Sequence, residues 1–186
     1  PSAIYLDKSD SYRRDFPGAL DRALVAFRYD GTLKALIEDF KYRGDREVAD
    51  LFCPALLETL RRHGVEGVDC ITFVPSQRLR WIVRAYNQSE VLANILAQNL
   101  GVPCTALLTR TSLWSRRQAR LNKSDRLKNM RGKFSVKADT EKYIHNKKIL
   151  LIDDVISTGS TACECALVLK SAGAREVVGL FVATGE

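Results

Sequence analysis

At 186 residues, 46% hydrophobic and 27% charged, the chain has the size and composition of a single folded domain rather than a disordered segment. No apolar stretch approaches the roughly 18 residues that a membrane span needs, and the polar N-terminal stretch has no signal-peptide core, so a cytoplasmic location is expected. The formal charge of +7 is unevenly placed: residues 110–148 hold 13 Lys/Arg against 3 Asp/Glu, so this one segment accounts for the basic excess.

Residues 1–20 are mixed and polar, with Pro17-Gly18 as a break, and a start at Pro1 rather than Met points to a processed chain or to further sequence upstream. Leu33, Leu36, Ile37 and Phe40 recur at helical spacing within residues 31–40. Residues 41–45 are expected to turn, and a second helix is predicted from about Arg46 to Arg62, ending before Gly64. Cys70 to Val74 reads as a short strand stopped by Pro75, and residues 89–100 as a helix stopped by Gly101. Leu107-Leu108 is expected in a short strand before the basic segment, and Phe134 to Val136 in a brief strand within it. That segment is open to three readings: a solvated face, a nucleic-acid patch, or a loop covering a polyanionic ligand.

The most informative run is Ile149-Leu150-Leu151-Ile152-Asp153-Asp154-Val155-Ile156-Ser157-Thr158-Gly159-Ser160-Thr161. Four apolar residues in a row suit a strand buried on both faces, as in a parallel sheet. The acidic pair follows at its C-terminal end, where open α/β sheets bind ligands. A helix is predicted from about Thr161 to Lys170, with Gly173 placed to end it, and the next strand from Glu176 to Val182. Strands alternating with helices give an α/β fold with a mainly parallel central sheet flanked by helices.

A helix N-terminus offers unpaired N–H groups and a partial positive charge, which hold a phosphate. Gly159 lets the backbone approach the anion, while Ser157, Thr158, Ser160 and Thr161 supply hydroxyls. Two carboxylates beside a phosphate would repel it, so Asp153 and Asp154 are acceptors for a sugar diol. The ligand implied is a ribose 5-phosphate. The plainer alternative, a solvated acidic turn, rarely supplies both carboxylates and Thr-Gly-Ser-Thr in register. A Walker-type triphosphatase would need an upstream Gly-x4-Gly-Lys-Ser/Thr loop, but Gly132-Lys133 is followed by Phe134, and Leu127 stands where the first glycine belongs. No Gly-x-Gly-x-x-Gly supports a dinucleotide site.

The five cysteines, Cys53, Cys70, Cys104, Cys163 and Cys165, are odd in number and scattered, which argues for reduced thiols. Cys163 and Cys165 face different ways on a helix and cannot share a metal. His63 and His145 lack zinc spacing and are expected at the surface.

The run from Ile149 to Thr161 resembles the phosphoribosyl pyrophosphate (PRPP) motif of type I phosphoribosyltransferases: an apolar strand, two acidic residues, and Thr-Gly-x-Thr. Further blocks resemble the ComF proteins: Leu36-Ile37-x-x-Phe40-Lys41-Tyr42-x-Gly44-Asp45; then Pro75, Arg80, Arg84, Tyr86-Asn87-Gln88-Ser89 and Leu92-Ala93; then Arg110, Gln118, Leu121, Arg126, Asn129, Gly132 and Phe134. Together the blocks span about Leu33 to Val182. The chain departs from the pattern at Ala85, Gln77 and Ser115, where glycine, histidine and threonine are usual. No cysteine precedes Cys53, so the four-cysteine zinc module of many members is absent or lies upstream.

The resemblance implies a type I phosphoribosyltransferase-like fold, with residues 1–69 contributing a small N-terminal hood and residues 70–186 the core. It implies PRPP as ligand, with ribose hydroxyls on Asp153 and Asp154 and the 5-phosphate on residues 157–161. Pro75, Ser76, Gln77, Arg80 and Arg84 would form the pyrophosphate loop. Arg116, Arg117, Gln118 and Lys123 would lie in a mobile loop over the sugar. Asn87 and Gln88 are expected to cap the following helix, and Lys41 to be hydrated. The reaction implied is displacement of pyrophosphate from C1 of the ribose by an unidentified nitrogen acceptor. Mg²⁺ would be carried by PRPP and water rather than by a protein cage. A link to competence and DNA uptake is implied as well. The alternative is a non-catalytic PRPP sensor or a single-stranded nucleic-acid-binding protein on the same fold.

Overall fold

A computed structural model of the chain describes residues 19–29, 31–43, 46–76, 86–111 and 132–184. Four strands form the central sheet: β1 (Arg22–Arg28), β2 (Cys70–Phe73), β5 (Lys148–Ile156) and β6 (Glu176–Thr184). Their spatial order is β1-β6-β5-β2, and every pairing is parallel. Beyond β2 the backbone of residues 103–105 adds a bridge, with Ile71 N–H donating to Pro103 O and Thr105 N–H to Ile71 O, both at 2.9 Å. A separate antiparallel pair joins β3 (Leu108–Arg110) to β4 (Phe134–Val136), with Arg110 opposite Phe134.

Burial on both faces explains the unbroken apolar run of β5. Leu150 and Ile152 enter one core, shared with α1 (Gly31–Arg43), α2 (Arg46–Arg62) and α3 (Gln88–Leu100). Ile149 and Leu151 enter the other, shared with α4 (Ser160–Ser171) and with Phe134 of β4. In β6, Val178, Leu180 and Val182 likewise face the first core, and Val177 and Phe181 the second. Each such side chain contributes roughly 1.5–3 kcal/mol by leaving water. Gly179 has no side chain because the Phe181 ring occupies the space: an added Cβ would lie 2.7 Å from Phe181 Cε2.

Most elements expected from the sequence are present, with several shifts. α1 continues to Arg43, so residues 41–43 are helical where a turn was expected, and Gly44 and Asp45 lie outside the described residues. β2 ends at Phe73, and β3 runs from Leu108 to Arg110 with Leu107 just before it. β5 extends to Ile156, so Asp153 and Asp154 lie within the hydrogen-bonded strand rather than after it. Asp153 sits opposite Phe181 of β6, and the pairing continues at Val155 and Ile156. α4 begins at Ser160, one residue before the expected start. β1 carries no clear sequence signal; pairing with β6 orders it, Leu24 and Ala26 are buried in the core with α2, and Val25 in the core with α4. His145 is exposed, whereas His63 at the end of α2 is half-buried and its carbonyl accepts from the Arg22 guanidinium.

The sheet order places a topological switch between β5 and β2. From β2 the chain crosses through α3 to residues 103–105 on the outer edge; from β5 it crosses through α4 to β6 on the other side. The two crossovers leave α3 and α4 on opposite faces, and a crevice opens where they diverge.

Candidate functional site

A cavity of about 390 Å³ occupies that crevice. The exit of β2 provides Val74, Pro75 and Ser76; the start of α3 provides Tyr86, Asn87, Gln88 and Ser89; β3 provides Arg110. On the far side stand Asp153, Asp154, Val155, Ser157 and Thr161.

The carboxylate of Asp153 is held from two directions. Its Oδ1 accepts from Ser89 Oγ at 2.8 Å and from the Asp154 backbone N–H at 3.0 Å. Asp154 Oδ1 accepts from the Val155 N–H at 2.7 Å. Both side chains are half-buried, so they are ordered by protein bonds while bordering the cavity. These are charge-assisted contacts, the stronger kind of hydrogen bond.

Gly159 is the N-cap of α4, with φ +68°, a left-handed conformation that glycine adopts without the Cβ penalty. Gly159 has no side chain to cap this helix end, and the Ser160 N–H makes only a long bond, 3.5 Å, to Thr158 Oγ1. Thr158 and Ser160 are exposed, and their hydroxyls bond each other at 3.0 Å. The loop therefore offers hydroxyls and backbone N–H groups at a helix start, which is the chemistry of an anion cradle.

Asn87 caps α3 as expected, accepting from Ser89 N–H at 3.2 Å, and its amide donates to Val74 O at 3.1 Å. One side chain thus ties the exit of β2 to the start of α3. The Tyr86 hydroxyl donates to Phe40 O in α1, which brings the end of that helix to the cavity wall. Of Lys41, in the same helix, the structure describes no side chain.

Arg110 donates from Nε to Pro75 O at 3.0 Å, and its guanidinium carbon lies 4.8 Å from the centre of the Phe134 ring. The neighbouring strand is anchored in turn: Glu164 of α4, 6% exposed, accepts from the Lys133 N–H at 3.0 Å. Thr111 N–H donates to Lys133 O at 3.0 Å, and its hydroxyl to Gly132 O. Thr111 and Lys133, within the basic segment, are therefore pinned to each other and to α4.

All five cysteines are free thiols. Burial pushes the Cys165 thiol well above its usual range, and the nearby Asp153 charge adds to it. Burial likewise raises Cys104 to about 12.

The expected site residues Pro75, Ser76, Asp153, Asp154, Ser157 and Thr161 all line one cavity. Thr158, Gly159 and Ser160 form the adjoining turn. Gln77, Arg80, Arg84, Arg116, Arg117, Gln118 and Lys123 lie outside the described residues. In the sequence reading Ser89 and Arg110 are residues of the family blocks, and Arg110 opens a mobile loop over 110–133; the structure instead places Arg110 in strand β3. Ser89 stands next to a helix start and reads as a cap residue; only the sheet order shows that it faces β5.

The phosphoribosyl transferase domain model matches residues 82–184. Competence protein F of Haemophilus influenzae is 29% identical over 84% of this chain and 70% of its own length. The DNA utilization protein YhgH of Escherichia coli K12 is 27% identical over 87% of this chain and 71% of its own, and competence protein ComFC of Streptococcus pneumoniae 29% over 86% and 66%. Among solved structures, the glutamine phosphoribosylpyrophosphate amidotransferase of B. subtilis superimposes with a TM-score of 0.49 at 21% identity, covering 76% of this chain and 30% of that enzyme. The chain belongs to the phosphoribosyl transferase domain family.

Proposed function

We propose that this protein binds PRPP in the crevice between β2 and β5 and transfers its ribose 5-phosphate to a nitrogen acceptor in the cytoplasm. The observation that supports this reading is the convergence, on one cavity at the topological switch, of an acidic pair and a glycine-started helix. Asp153 and Asp154 accept the 2- and 3-hydroxyls of the ribose, and the turn from Ser157 to Thr161 receives the 5-phosphate. The pyrophosphate then points toward Pro75 and Ser76, continuing into the loop with Gln77, Arg80 and Arg84. Arg116, Arg117, Gln118 and Lys123 lie in sequence between Thr111 and Lys133, which are bonded to each other, Lys133 also to Glu164, and belong to the loop that covers the sugar.

Displacement at C1 needs positioning and electrostatic stabilisation more than a covalent nucleophile, because the sugar carries positive charge in the transition state while the leaving group gains negative charge. The ordered carboxylates hold the sugar ring in place by its hydroxyls. Mg²⁺ suits this site because the donors bordering the cavity are hard carboxylate and hydroxyl oxygens; when bound with PRPP it neutralises pyrophosphate charge.

The relatives named for competence and for DNA utilization favour a place for this activity in the handling of DNA. The basic segment supports a second reading, in which the same pocket senses PRPP while single-stranded DNA binds the basic face. Pyrophosphate release, measured with PRPP and Mg²⁺ across a panel of nucleobases and amides, separates the two. Turnover with one acceptor supports transfer. Tight PRPP binding with no release across the panel favours the sensor.

A further inference from the structure

Glu164 of α4 is 6% exposed, and among the described residues it is the one acidic or basic side chain that is buried. Its neighbours along the helix, Ala162, Cys163, Cys165 and Ala166, are apolar and pack in the second core with Phe134 of β4. Packing alone favours an apolar side chain at 164 as well, because an enclosed carboxyl costs stability unless hydrogen bonds compensate it. What the carboxyl supplies is direction. Its Oε1 accepts from the Lys133 N–H at 3.0 Å, at the entry to β4.

That bond completes a strut between the two walls of the cavity. β4 pairs with β3, with Phe134 opposite Arg110. β3 is fastened to the β2 wall. The Leu107 N–H, just before it, donates to Thr72 Oγ1 at 3.2 Å, and Arg110 Nε donates to Pro75 O at 3.0 Å. The β3–β4 pair stands outside the central sheet, so the sheet ladder does not set its place against α4. Apolar packing around Phe134 holds the pair near α4 without fixing an orientation; the Glu164 bond fixes one. Ser160, at the end of the turn that faces the 5-phosphate, begins the same helix one turn earlier. We infer that Glu164 is a positioning residue: through Lys133 it sets the β3–β4 pair, and with it the Pro75 wall, at the distance from the 5-phosphate turn that PRPP spans. The inference rests on the PRPP reading of the pocket, and Glu164 itself touches no ligand atom. A ligand that reaches both walls feels this spacing. Ribose 5-phosphate, held by the turn and by Asp153 and Asp154, does not. A purely structural Glu164 makes a different prediction: its loss would lower stability and weaken both ligands together.

The test compares the wild-type protein with Glu164→Gln, which keeps an accepting oxygen, and Glu164→Leu, which fills the same space without one. Hydrogen–deuterium exchange over residues 132–136 is measured without ligand. Calorimetry follows with PRPP and Mg²⁺, and separately with ribose 5-phosphate. In Glu164→Leu, exchange at 132–136 should quicken by about tenfold or more. Its PRPP affinity should fall by about tenfold or more while ribose 5-phosphate affinity changes less than about threefold. Glu164→Gln should stay within about threefold of wild type for both ligands. Unchanged PRPP affinity or unchanged exchange in Glu164→Leu would overturn the assignment. So would equal losses of both ligands, a Gln variant as impaired as Leu, or a Leu variant that fails to fold; each of these leaves the pocket reading intact. Wild-type protein that binds neither ligand would overturn the pocket reading and the assignment with it, while the exchange measurement, which needs no ligand, still reports whether Glu164 holds Lys133.

Discussion

Ser89 Oγ donates to Asp153 Oδ1 at 2.8 Å, a bond between the first turn of α3 and the end of β5 across 64 residues of sequence. It spans the crevice between the two crossovers and holds one of the two cavity carboxylates in place. A hydrogen bond to a charged carboxylate contributes about 1.5–3 kcal/mol. Ser89→Ala is therefore expected to lower the melting temperature by several degrees and to weaken PRPP binding by up to about 10- to 150-fold. Calorimetry beside a thermal melt checks this, and an affinity equal to wild type would show that Asp153 needs no such support.

Gly159 is the second point of leverage. With φ +68° at the start of α4, an alanine there is strained by about 1–2 kcal/mol. Gly159→Ala is expected to lower stability by that amount in urea unfolding and to weaken PRPP binding as well, because the strain is relieved by moving the turn that faces the 5-phosphate. A variant as stable as wild type would contradict the left-handed geometry.

The thiols give a simple check on burial. Burial raises Cys53, Cys70 and Cys165 above the usual thiol range and Cys104 to about 12. A disulfide reagent at pH 8 is expected to react slowly with these four in the native protein, and with all five cysteines once the chain is denatured. Rapid modification of four or five thiols in the native state would refute the packing of α2, β2 and α4.

Asp69 sets an acid limb. The Lys148 backbone N–H, followed by the Lys147 ammonium and the Arg175 guanidinium, holds its carboxyl below the ordinary carboxylate value of 3.8. A carboxylate with a depressed folded-state value contributes stability that is present above the ordinary value and lost as pH falls below it. Asp69→Asn should therefore lose stability near neutrality and show a shallower decline below about pH 4, measured by urea unfolding at several pH values. Parallel acid limbs in the two proteins would exclude Asp69 as a contributor.

The central unit was legible because its signals are local. Four apolar residues, two acids and Thr-Gly-Ser-Thr appear consecutively, and β5, the turn and α4 follow the same order. Asn87 was likewise readable as a cap from its place before an amphipathic run. β1 was not, because Arg22–Arg28 alternates weakly and is ordered by pairing with β6, more than 150 residues away in the chain, rather than by its own pattern. Asp153 and Asp154 were expected past the end of their strand because acids are poor strand formers; pairing with β6 carries the ladder through them. The contacts of Ser89 and Arg110 were hidden for a topological reason. They depend on α3 and β3 meeting the end of β5 and the exit of β2, and no spacing along the chain encodes that meeting.

The most direct test is titration of PRPP with Mg²⁺ into the wild-type protein, Asp153→Ala and Asp154→Ala, with thermal melts of all three. Wild type should bind, and at a ligand concentration about 100 times the dissociation constant should gain roughly 2.7 kcal/mol, a melting shift on the order of 5–10 °C. Each variant should stay folded and lose about 10- to 150-fold in affinity. No shift for folded wild-type protein at millimolar PRPP, or undiminished affinity in both variants, would contradict a ribose 5-phosphate site between β2 and β5.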